Sequence, residues 1–91
     1  MKNASEEAKG RLIKRLKIVE GQVRGLQNMV RADTYCIDVI TQTSAIKHAL
    51  SRIEDVLMEN HLGTCALEQI KKGNEGLATK EILTVYRLKR T

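Results

Sequence analysis

The chain of 91 residues contains no proline, no phenylalanine and no tryptophan. Two tyrosines, Tyr35 and Tyr86, are its only aromatics. Any core must therefore be built from Leu, Ile, Val, Met and Ala. A chain this short buries a modest fraction of its surface, so a metal or a second copy is expected to help hold it. No apolar run approaches the roughly 20 residues that span a bilayer. The opening segment, MKNASEEAKG, lacks the apolar stretch of a secretory signal. A cytoplasmic protein without membrane contact is expected. In that reducing compartment the two cysteines, Cys36 and Cys65, are better explained as metal ligands, redox sensors or inert thiols than as a disulfide. Also missing are a nucleophile–base pair and a Gly-rich phosphate loop, which argues against an enzyme and a small-molecule substrate.

Positive charge is in excess: 16 Lys and Arg against 11 Asp and Glu, a net +5. Such a balance in a small domain suits nucleic acid, where neutralised phosphates release counterions. Many ordinary soluble proteins carry as much. The hydrophobic pattern is helical throughout. Ser5 followed by Glu6 and Glu7 marks a helix start. Leu12, Leu16, Val19, Val23, Leu26 and Val30 then recur in steps of four and three, a heptad-like stripe. Gly21 and Gly25 interrupt it and leave room for another backbone to approach. A turn is predicted at Arg31–Ala32–Asp33, with Asp33 or Thr34 capping the next helix. From Tyr35 to His61 there is no Gly, and apolar residues surround much of the helix. A helix apolar on several sides is packed from several sides, which points to a bundle centre shared between subunits. A kink is predicted near Gly63, a stop at Lys71–Lys72–Gly73, and a last helix over roughly 77–88 with Leu77, Ile82, Val85 and Leu88 inward. The expectation is an all-α single domain over residues 1–91.

His61 and Cys65 stand four residues apart, which puts both on one helical face, one turn apart. Cys36 precedes His61 by 25 residues, or about 37 Å of continuous helix, so the three cannot meet within one straight helix. They meet if two copies of the helix pair antiparallel, giving two symmetric sites per dimer. Two thiolates and an imidazole are a soft set, suited to Cu(I) or Zn(II). Structural zinc takes four ligands and no fourth is evident, which favours Cu(I), one per protomer. Two plainer accounts remain open: Cys36 as a small buried hydrophobe, and Cys36 with Cys65 as a dithiol sensor. His48, mid-helix, is assigned to packing or to the surface.

Three separated stretches resemble the CsoR family of copper-sensing transcriptional repressors, whose relatives include nickel/cobalt, formaldehyde and persulfide sensors. They are Arg11-Leu12 with Arg15-Leu16 and Gly21-Gln22-Val23-Arg24-Gly25-Leu26; Tyr35-Cys36-Ile37-Asp38-Val39 with Gln42 and Ala45; and His61 with Cys65. The resemblance covers nearly the whole chain. It implies a three-helix protomer, an antiparallel dimer and a dimer of dimers. It implies that metal-free protein binds operator DNA and that Cu(I) releases it, raising expression of copper export or storage genes. It also implies that Tyr35 and Glu81 hydrogen-bond around the ligand His. No His precedes His48, which argues against the nickel and cobalt sensors. Cys65 and His61 argue against the formaldehyde and persulfide sensors respectively.

No helix-turn-helix or zinc-finger pattern marks a DNA-reading element. Arg15 and Arg52 match basic positions tied to DNA binding in the family. Lys14 and Arg11 lie beside Arg15, and Lys47 is a further candidate. The rival readings are a nickel- or persulfide-responsive sibling, and a copper chaperone that binds no DNA.

Overall fold

The computed structural model describes residues 4–90. Among them there is no strand. Helix α1 spans Glu6–Arg31. Ser5 is its N-cap, with extended backbone, and its Oγ accepts from the Ala8 amide at 3.1 Å. This is the bond by which a serine satisfies an otherwise orphaned first-turn amide. Glu6 and Glu7 fill the first turn, where the helix dipole favours negative charge. Exposed pairs one turn apart, Lys9–Glu6, Arg11–Glu7 and Arg24–Glu20, lie at 3.0–3.2 Å. Such pairs contribute about 0.3–0.5 kcal/mol each.

The end of α1 differs from expectation. Asp33 does not cap the next helix; it terminates this one. Its φ is +54°. Its amide donates to Val30 O at 3.2 Å, and the Thr34 amide donates to Met29 O at 3.0 Å. That pair of bonds around a left-handed residue is the Schellman stop, usually built on glycine. Asp is one of the few other residues that enter the left-handed region. The same short polar side chain that caps helix starts thus serves here at a helix end. Helix α2, Cys36–His61, begins with Tyr35 O accepting from the Asp38 and Val39 amides at 3.0 and 3.2 Å.

Two compact units divide the chain, one of Ser5–Asp55 and one from Val56 onward. In the first, α1 and the front of α2 form a helical hairpin. Its buried residues are Leu12 and Val19 on α1 and Ile46 and Ile53 on α2, each pair seven residues apart. The predicted α1 stripe is only half buried. Leu16 and Val23 are exposed, and Val30 is 61 % exposed, while Gln22, Leu26 and Met29 are half-buried. One neighbouring helix covers only one flank of a heptad-like stripe, and the other flank stays open. The expected close approach at Gly21 and Gly25 is likewise absent from the protomer, since a Cβ at either would meet nothing within 4 Å.

In the second unit the end of α2 passes into a π-helical turn, Leu62–Ala66, and then α3, Leu67–Lys71. His61 and Leu67 keep helical backbone on either side, so the predicted kink is a change of pitch within one helical run. The Thr64 hydroxyl donates to Asn60 O at 2.7 Å within that stretch. The stop is a second Schellman turn: Gly73 has φ +83°, its amide donates to Ile70 O at 3.0 Å, and the Asn74 amide donates to Gln69 O at 2.7 Å. Asn74 O accepts the first amide of α4, Glu75–Arg90, from Ala78 at 3.1 Å. Ala66 and Ala78, each 2 % exposed, are the buried residues of this second hairpin. On α4 the half-buried residues are Glu81, Ile82 and Val85. Leu77 and Leu88, expected inward, are exposed, because the face that meets α3 runs through Ala78 and is narrow enough to leave them on its flanks. Counting α2, the π turn and α3 as one run, the described residues form three helices.

Candidate metal centre

His61 closes α2 and Cys65 sits inside the π turn. Both are half-buried. Both line a cavity of about 590 Å³ whose wall also includes Met58, Leu77 and Glu81. They line a second cavity of about 400 Å³ together with Gln69. The four-residue spacing thus presents an imidazole and a thiol to shared space. Cys65 Sγ lies 3.7 Å from Thr64 Oγ1. A hydroxyl has one proton, and the shorter bond to Asn60 O claims it, so the sulfur is free of a strong donor. Both cysteines are free thiols.

Cys36 is the first residue of α2, at its opposite end from His61. It is exposed in the single chain and so is not part of the protomer's own core. Among the described residues no group of three or more His, Cys, Asp or Glu gathers in one place. One chain therefore brings together two of the three predicted ligands and leaves the third apart. Tyr35, beside Cys36, is 70 % exposed. His48 is exposed on α2, a surface residue. Glu81 faces the larger cavity, and its Oε1 accepts from Gln69 Nε2 at 2.8 Å. Gln69 escaped the sequence reading, although it continues the His61–Cys65 spacing by another four residues.

The basic candidates separate into two groups. Arg15 on α1 and Arg52 on α2 line one cavity of about 320 Å³ with Gln22 and Ala49. Lys14, Arg11 and Lys47 are exposed elsewhere, and Arg11 is paired with Glu7. Among the described residues no helix is long and apolar enough to cross a membrane.

Residues 8–88 match the family model described as metal-sensitive transcriptional repressor. The chain is 39 % identical over 87 residues to the copper-sensing transcriptional repressor CsoR of Bacillus subtilis (strain 168), covering 96 % of this chain and 86 % of that protein. It is 43 % identical over 70 residues to the copper-sensing transcriptional repressor RicR of Mycobacterium tuberculosis, covering 77 % and 73 %. Among solved structures, the copper-sensing repressor CsoR with Cu(I) from Geobacillus thermodenitrificans NG80-2 superposes with a TM-score of 0.88 at 36 % identity, over 100 % of this chain and 95 % of that one.

Proposed function

Since the chain belongs to the metal-sensitive transcriptional repressor family, we propose that it is a Cu(I)-responsive repressor that binds operator DNA when metal-free and leaves it when Cu(I) binds. It acts in the cytoplasm as one domain over residues 1–91, in antiparallel dimers that pair into tetramers. The regulated genes are those of copper export or storage. It is not an enzyme.

One observation carries this reading: His61 and Cys65 face the same cavity while Cys36 stands exposed at the start of α2. The donor set fits the metal. Two thiolates and one neutral imidazole are soft ligands, and a three-ligand set suits Cu(I) better than structural zinc, which takes four. Cys36 of one protomer with His61 and Cys65 of its partner would hold one ion per protomer. A soft cation held by Cys36 of one protomer and by His61 and Cys65 of its partner would tie the two protomers together. Glu81 accepts the remaining ring N–H of His61, fixing its tautomer and linking α4 to the site. Tyr35 acts beside it.

Arg15 and Arg52, with Lys14 and Arg11, contact DNA phosphates, so affinity falls steeply with salt. The protein then works as a population shift. Copper and DNA favour different arrangements of the same chain, and each weakens the other's binding by the same factor. An anaerobic anisotropy titration on the upstream DNA tests it. Metal-free protein binds; Cu(I), and neither Ni(II) nor Zn(II), releases it. Release by nickel or by a sulfur donor would move the function to a sibling sensor. No DNA binding at all would leave a copper chaperone.

A further inference from the structure

Gln69 lies four residues beyond Cys65 and eight beyond His61, so the helical run sets all three on one face. The three line one cavity of about 400 Å³. From α3, Gln69 Nε2 reaches across to α4 and donates to Glu81 Oε1 at 2.8 Å, partly shielded from water. The orientation of this amide follows from its partner. An ionised carboxylate only accepts, so the amide atom facing it is the nitrogen. The amide oxygen is then left over: Gln69 Oε1 is buried with no hydrogen-bond partner among the described residues. A buried, unpaired acceptor is costly, so this amide is held by Glu81 and not by its own full satisfaction.

The bond fixes one oxygen of Glu81 and leaves the other for a second donor. His61 lines both cavities, the one that Glu81 faces and the one that Gln69 faces. A histidine that ligates a metal through one ring nitrogen donates the other N–H to an acceptor, which sets tautomer and ring direction. The Glu81 carboxylate thus borders the space that His61 lines, and the amide of Gln69 is bonded to it.

The geometry points to Gln69 as a positioning residue for the metal-binding imidazole: its Nε2 holds the Glu81 carboxylate on the His61–Cys65 face, ready for the His61 N–H. This rests on the copper reading above, and Gln69 acts through Glu81 without touching the metal.

The test compares Cu(I) affinity, by anaerobic competition with a chromophoric Cu(I) chelator, across Gln69→Leu, Glu81→Ala, the double variant and His61→Ala. Gln69→Leu lowers affinity about tenfold, within the range seen when support for a ligand is removed. The double variant loses no more than Glu81→Ala alone. In the Cu(I)-loaded protein, the slowly exchanging His61 ring N–H seen by NMR is lost in Gln69→Leu, a change that a merely structural role would not cause. Gln69→Glu, which keeps the size and removes the donor, gives the same losses should Gln69→Leu fold poorly. Wild-type affinity with a retained N–H signal in both Gln69 variants, or losses that add in the double variant, would overturn the proposal. Loss in His61→Ala without loss in Gln69→Leu overturns it alone; full affinity in His61→Ala removes His61 from the site and the proposal with it, and no tight Cu(I) binding by the wild-type protein overturns the copper reading itself.

Discussion

His61 and Cys65 share a cavity because four residues of helix separate them and the pitch changes between them. π turns inside α-helices occur frequently at functional sites, and this one contains Cys65. His61→Ala is expected to abolish the response of DNA binding to Cu(I) while metal-free DNA binding persists. DNA anisotropy with and without Cu(I) reads both; a retained copper response would remove His61 from the site. Arg15→Ala or Arg52→Ala is expected to weaken binding to operator and unrelated DNA alike, and to reduce the slope of log affinity against log salt by about one. Lack of any change in slope would place phosphate contacts elsewhere. The imidazole–thiol pair was legible in the sequence because helical spacing is local. Gln69 was not, because its partner Glu81 is twelve residues away on another helix and nothing in a glutamine's spacing announces that bond.

At the scale of elements, the two Schellman turns are a natural comparison. Gly73 occupies one left-handed position and Asp33 the other. Gly73→Ala is expected to destabilise the protein by about 1 kcal/mol, because a Cβ is disfavoured there. Asp33→Gly is expected to stabilise it by about 0.5–1 kcal/mol through relief of the same strain. Urea unfolding at matched protein concentration measures both; equal and opposite signs to these would mean the turns are not what ends the helices. Ala78, nearly fully buried against its hairpin partner, offers a third case: Ala78→Leu overpacks the contact and costs about 1–3 kcal/mol. The start of α1 and the glycine stop were readable from local chemistry. The role of Asp33 was misassigned because Asp serves both as an N-cap and in the left-handed region, and only the backbone decides. The inward faces of α1 and α4 were half right, since periodicity finds a stripe but not which flank a single neighbour covers.

For the whole molecule, much of the apolar surface remains open in one chain. Leu16, Val23 and Val30 on α1 and Ile37, Ile40 and Leu50 on α2 are all exposed. A helix apolar on several sides, read from the sequence of α2, has this physical form: one flank packed in the protomer and the others uncovered. The copper reading uses the same incompleteness, because one chain carries His61 and Cys65 together and Cys36 apart. The most direct test of that claim mixes two inactive proteins. Cys36→Ala and His61→Ala variants each lack every complete site. If sites form between antiparallel partners, subunit exchange creates mixed dimers in which one site has Cys36, His61 and Cys65 all intact. Random exchange then restores tight Cu(I) binding to about a quarter of the wild-type stoichiometry, as two-fold symmetry requires. Chelator competition on the exchanged mixture measures it. Recovery near that fraction supports a site completed by a second copy; no recovery after verified exchange would contradict it.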